Sequence, residues 1–176
     1  MGLAGAGAYL SMQEEEAVPA IGGPFALVDG DGQTVTEARF RGRWMMVYFG
    51  YTHCPDSCPT ALQDMANALD ALGPKRAEVA AVFITVDPER DTPAVMKDYV
   101  AAFDSAIVPL TGSVEAVARV ARAYRVFYGK HPTSEGGYDM DHSSIIYVMD
   151  RAGRFVTNFT HETPPDQMAA KLRTLV

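Results

Sequence analysis

Two cysteines make up the whole thiol complement of this 176-residue chain, and both lie in one stretch, Tyr51-Thr52-His53-Cys54-Pro55-Asp56-Ser57-Cys58-Pro59. A disulfide-rich scaffold needs several spaced cysteines and is excluded. Neighbouring thiols serve redox chemistry, metal binding or one local bridge. The bridge is the weakest of these, because closing so short a loop removes little entropy from the unfolded chain. Three residues separate the cysteines, so the sulfurs are free to take either disulfide spacing or the wider spacing that a bridging metal sets. A third ligand would decide, and four histidines are available. His161 lies in a polar segment and His131 in the loop Lys130-His131-Pro132-Thr133, so both read as surface residues. His53 adjoins Cys54 and is expected to point away from the thiols. His142 stands apart, in Met140-Asp141-His142-Ser143-Ser144 just ahead of an apolar run.

The elements that must position these groups are legible from periodicity. Phe25 to Val28 reads as a strand, turned by Asp29-Gly30-Asp31-Gly32 and returned by Gln33 to Thr36. Trp44 to Phe49 and Val79 to Val86 are continuous apolar runs, as in strands buried on both faces. Between them Leu62, Met65, Ala66, Leu69 and Leu72 fall at helical spacing, ending at Gly73-Pro74. Pro59 lacks an N–H and disfavours the α region at Cys58, so the helix is predicted to begin at about Pro59 with Cys58 at its N-cap. A thiolate there is favoured by the unpaired N–H groups and the helix dipole. Thr92 caps a helix to Phe103 with proline in its first turn, and Ser113 caps another to about Tyr124. Ile145 to Met149 and Phe155 to Phe159 form a hairpin around Asp150-Arg151-Ala152-Gly153, and Pro164 to Leu175 is a last helix. The pattern is α/β and thioredoxin-like, with an N-terminal strand extension and an inserted helix.

That fold sharpens the reading of His142. The position ahead of the penultimate strand usually carries a cis-proline packed on the active-site cysteines; a histidine there aims an imidazole at the thiols. Two thiolates and one imidazole make a soft, three-coordinate site. Softness selects Cu(I), whereas structural zinc normally takes four protein ligands. Asp141 is placed to orient His142 from behind. The acidic loop Asp87 to Asp91 leaves two readings open: support or guidance beside the site, Asp87 included, or a solvated loop capping the next helix.

Fifteen basic against 22 acidic residues give a net charge of −7. That balance argues against nucleic acid as a partner. Residues 2–10 are small, apolar and uncharged, too short to span a bilayer, and lack the basic start of a signal peptide. Residues 1–16 are expected to be a flexible tail, either a Gly/Ala-rich end or the remnant of a membrane anchor, ahead of one monomeric domain over 17–176.

Several motifs in order make the chain similar to the Sco/SenC family of copper-binding cytochrome c oxidase assembly proteins. They include Gly22-Gly23-Pro24-Phe25, Tyr48-Phe49-Gly50-Tyr51-Thr52-His53-Cys54-Pro55-Asp56, Cys58-Pro59, Val86-Asp87-Pro88-Glu89-Arg90-Asp91-Thr92, Ala121-Arg122-Ala123-Tyr124-Arg125-Val126, Asp141-His142 and Tyr147-Val148-Met149-Asp150. The resemblance implies copper, as Cu(I) and Cu(II), on Cys54, Cys58 and His142. It implies a membrane-anchored protein facing the bacterial periplasm or the mitochondrial intermembrane space. The implied partners are cytochrome c oxidase subunit II, whose dinuclear copper centre the family helps to mature, and other copper chaperones. Copper delivery and reduction of the partner's cysteines both remain open as the family's contribution, and the second makes Cys54 and Cys58 a catalytic redox pair.

Overall fold

Two apolar strands form the centre of the structure. In the computed structural model, which describes residues 20–176, β4 (Val79–Thr85) is buried at every position. Two shorter strands, β1 (Ala26–Asp29) and β2 (Thr34–Thr36), precede β3 (Trp44–Gly50), which is buried from Met45 onward. β3 runs parallel to β4, from Trp44↔Val79 to Gly50↔Thr85. β5 (Val108–Thr111), β8 (Ile145–Met149) and β9 (Phe155–Thr160) complete a seven-stranded sheet of order β2-β1-β5-β4-β3-β8-β9. A separate two-stranded hairpin, β6 (Tyr128–Pro132) with β7 (Tyr138–His142), stands outside it. The helices are α1 (Ser57–Ala71), α2 (Pro93–Ala101), α3 (Val114–Ala123) and α4 (Pro165–Arg173). α1 and α4 pack on each other, and the strands they accompany make the arrangement thioredoxin-like. Among the described residues no helix is long and apolar enough to cross a membrane. The tail expected over 1–16 lies outside the described residues.

The caps behave as their chemistry requires. Thr92 Oγ1 accepts from the Val95 N–H at 3.4 Å and Ser113 Oγ from the Ala116 N–H at 3.1 Å. α1 differs: it begins at Ser57, not Pro59, so Cys58 lies inside the first turn. Proline is tolerated there because the first four helical N–H groups have no intrahelical partner to lose. β5 follows α2 and contains Pro109, which has no N–H to give to a ladder. Its register with β1 reaches only Leu110, so on that side the missing N–H breaks no ladder bond. Lys130 to Pro132, expected as loop, belong to β6 of the hairpin; in β7 Tyr138, Met140 and His142 alternate with Asp139 and Asp141, and Gly136-Gly137 turns the chain.

Gly50 marks where sheet and thiols meet. A Cβ there would lie 2.5 Å from Cys58 Sγ, 3.0 Å from Phe83 and 3.2 Å from Tyr48, all fully buried neighbours. Gly50→Ala is therefore expected to lower stability by about 1–3 kcal/mol, the usual penalty of overpacking. Urea unfolding checks this, and an unchanged midpoint would show that Cys58 yields freely.

The β8–β9 turn depends on a carboxylate. Asp150 Oδ1 accepts from the Ala152 and Arg154 N–H groups, each at 2.9 Å, and Oδ2 from Arg154 Nε at 2.9 Å. Desolvation acts to raise its pKa, but the Arg154 N–H, its guanidinium and the Ala152 N–H outweigh it and hold the carboxyl below its ordinary value. A folded-state pKa below the unfolded one gives stability that is complete above the unfolded value and lost as pH falls through the folded value. The stability gap between wild type and Asp150→Asn should thus shrink on acidification. Urea midpoints at neutral and acid pH measure it, and a pH-independent gap contradicts the assignment.

Candidate metal centre

The Cys54 and Cys58 segment is held from below. After β3, the Cys54 N–H donates to Tyr51 O at 3.3 Å, which tightens the loop before α1. Asp91, fully buried, accepts from the Thr52 N–H at 3.0 Å and Thr52 Oγ1 at 2.6 Å, and from Thr85 Oγ1 at 2.6 Å. The two aspartates of the acidic loop are therefore not solvated, at 2% exposure for Asp87 and 0% for Asp91, while Glu89 between them is exposed. Asp87 reaches towards the hairpin. It accepts from Arg90 Nε at 2.5 Å and from the Tyr138 hydroxyl at 2.7 Å. Arg90 also donates to Tyr138 O at 3.0 Å, with its guanidinium 3.7 Å from the Tyr138 ring centroid.

His142 arrives at the end of β7, where Tyr128 faces it across the hairpin. The residue immediately ahead of β8 is Ser144, so the hairpin, not the position before the strand, carries the imidazole to the thiols. His142 Nδ1 lies 3.2 Å from the Ser143 carbonyl, which can only accept. Nδ1 therefore bears the hydrogen, and the lone pair on Nε2 faces Cys58 Sγ at 3.3 Å. The rings of Tyr51 and Tyr48 stand nearly perpendicular to the imidazole, at 5.7 Å and 6.1 Å. Asp141 does not orient His142. It is exposed on the opposite face of β7, with its carboxylate 3.4 Å from His131 Nδ1, because adjacent strand residues point to opposite sides.

Cys54 Sγ, Cys58 Sγ and a His142 ring nitrogen lie within 4.8 Å of one another. Both cysteines are free thiols, Cys54 at 8% exposure and Cys58 at 0%. The other histidines stay outside this cluster: His53 lies 4.0 Å from Asp91 Oδ1, His131 pairs with Asp141, and His161 is exposed.

The two sulfurs differ electrostatically. Donation from Cys58 drives the Cys54 pKa far below that of an ordinary thiol, against desolvation and with help from Ser57 and the Asp56 N–H. The same contact, together with burial, pushes the Cys58 thiol up. The pair therefore holds one proton between two sulfurs. Ser57 Oγ lies 3.2 Å from Cys54 Sγ as a donor to its thiolate. Tyr48, whose phenol burial keeps protonated, donates to Cys58 Sγ at 3.8 Å and shares a 3.3 Å hydrogen bond with Ser144 Oγ. Tyr48 was absent from the sequence-derived site, although its place two residues before Gly50 puts it on the strand face that meets Cys58.

Comparison with known proteins fits this geometry. The family described as SCO1/SenC matches residues 13–176. The mitochondrial SCO1 homolog 1 of Arabidopsis thaliana is 46% identical over 138 residues, 78% of this chain and 41% of that protein. The human mitochondrial SCO1 homolog is 38% identical over 159 residues, 89% of this chain and 53% of that protein. The chain thus spans about half the length of these two relatives. The structure of Bradyrhizobium japonicum ScoI with copper bound superposes with a TM-score of 0.84 at 47% identity, covering 89% of this chain and all of that one. With its cysteine–histidine cluster held on a thioredoxin-like sheet, this chain belongs to the SCO1/SenC family.

Proposed function

We propose that this protein carries one copper ion on Cys54, Cys58 and His142 and passes it to a partner during assembly of cytochrome c oxidase. The observation that carries this reading is the convergence of two thiols and the free lone pair of a tautomer-fixed imidazole within 4.8 Å. Two thiolates and one imidazole suit Cu(I), and the imidazole supplies the nitrogen that Cu(II) prefers. Three protein ligands leave room for an acceptor's ligand to enter before any of the three departs. Copper is here cargo, and the chain's part is to hold it softly and release it by ligand exchange. Asp87 acts at one remove, by fixing Tyr138 and so the strand that ends in His142. The dinuclear copper centre of oxidase subunit II is the destination, and the periplasm or mitochondrial intermembrane space the compartment. The copper-bound ScoI at 47% identity and the mitochondrial relatives support this reading.

A second reading is favoured by the asymmetry of the sulfurs. A reaching thiolate on Cys54 backed by a protonated thiol on Cys58 is the arrangement of a thiol–disulfide oxidoreductase that would reduce the partner's cysteines.

Reduced protein is expected to bind one Cu(I) per chain, and Cys54→Ser or Cys58→Ser to abolish tight binding. Titration against a competing Cu(I) chelator measures this, and unchanged affinity in either variant would overturn the copper assignment. His142→Ala separates the two readings. Cu(II) binding should be lost and Cu(I) binding weakened, while the cysteines still form and lose a disulfide against a glutathione buffer. Intact copper affinity with collapsed thiol chemistry would instead assign His142 to the redox role.

A further inference from the structure

Beside the thiols a cleft of about 300 Å³ opens between α1 and α4. Tyr48 and Ile146 line it from the sheet, Ala61 from α1 and Met168 from α4. It is continuous with the sulfur site. Ser57, which contacts Cys54 Sγ, and Ser144, which bonds to Tyr48, also line it. The helix explains the division of labour. Ser57, Ala61 and Asp64 recur at i, i+4 and i+7 and face the cleft, whereas Cys58, Leu62, Met65 and Leu69 face the core.

Two carboxylates and one imidazole, that of His161, are the titratable groups other than Tyr48 along this cleft. Asp56 and Asp64 line it, with no lysine or arginine among the lining residues. Asp64 makes no hydrogen bond or ion pair among the described residues, and desolvation pushes its carboxyl up. An apolar slot ending in an unneutralised carboxylate suits an aliphatic stem with a cationic head. From Ser57 to Asp64 the helix rises about 10 Å, the reach of a basic side chain plus about one or two residues of extended chain.

We propose that this cleft receives a lysine or arginine of the partner protein, two positions from the partner residue that meets Cys54, so that Asp64 sets the register of docking. This rests on the reading that Cys54 and Cys58 exchange with a partner's ligands, and it adds where that partner is gripped. The basic stem lies along Ala61, Ile146 and Met168, and its head neutralises Asp64.

A copper-free experiment tests it. The probes are blocked pentapeptides with a central cysteine, activated as a mixed disulfide with 2-thiopyridine, and with lysine or glutamate two positions away. The Cys54 thiolate attacks the peptide sulfur; the Cys54–peptide S–S bond forms, the bond to thiopyridine breaks, and pyridine-2-thione leaves with the electron pair and takes a proton from water. Its release gives the rate. At low ionic strength the lysine peptide should react about two- to fivefold faster than the glutamate peptide, the scale of one exposed ion pair. Asp64→Asn should remove most of that preference, and Ala61→Trp, which fills the cleft, should slow the lysine peptide specifically. The exposed, distant Glu115→Gln carries the same change in net charge and should leave the preference intact. Dithiodipyridine alone should react equally with all variants, which establishes that the thiols are undisturbed. Equal rates for the two peptides, or a preference that survives Asp64→Asn, would overturn the proposal. Because no metal is present, that failure would leave the copper assignment standing, and failed copper binding would leave this result standing.

Discussion

The carboxylate of Asp91 is the contact on which the rest of the site depends. It is wholly buried and takes hydrogen bonds from the Thr52 N–H, the Thr52 hydroxyl and the Thr85 hydroxyl, while its backbone carbonyl accepts from Thr111 Oγ1 at 2.7 Å. These partners come from the loop after β3, the end of β4 and the end of β5. A buried carboxylate is tolerable only when its lone pairs are satisfied, so the loop after β3 and the end of β4 must meet at it or leave a charge stranded, while Thr111 ties β5 to the backbone of the same residue. Cys54 lies two residues after Thr52 in the same loop. The course of that loop over the sheet edge is therefore set by a group outside the metal cluster itself.

A second anchor repeats this logic for the histidine. Asp87 and Arg90 grip Tyr138 by its hydroxyl, its carbonyl and its ring, and Tyr138 opens the strand that closes on His142. One loop of five residues thus fixes both sides of the site, the cysteine side through Asp91 and the histidine side through Asp87. This explains a run of charged residues that composition alone would assign to the surface. Burial here follows from pairing, which a one-dimensional pattern of polarity does not display.

What was legible in the sequence divides along the same line. The continuous apolar runs of β3 and β4 and the helical spacing of Leu62, Met65 and Leu69 were readable, because burial on a fixed period is a local property. So was the convergence of Cys54 and Cys58 with His142, through the fold that the element order implied. The route by which His142 arrives was not. The β6–β7 hairpin is polar on one side and packs through Tyr128, Tyr138 and Met140, a signal weaker than its Gly, Pro and Asp content. Asp141 looked like the partner of His142 because it is adjacent in sequence, but adjacency in a strand means opposite faces, and the Ser143 carbonyl fills that role instead. The Tyr48 hydroxyl and the close approach of Gly50 to Cys58 depend on three-dimensional packing between strand and helix.

The distance in sequence between Cys58 and His142 is 84 residues, although their ligand atoms sit 3.3 Å apart. An ion bridging them is a cross-link across nearly half of the chain. In the chain-entropy picture, tying two points that far apart removes about 4–5 kcal/mol of freedom from the unfolded ensemble, as a disulfide of the same span would. On the proposed reading, that staple would exist only while copper is held, so loading would raise the stability of the fold.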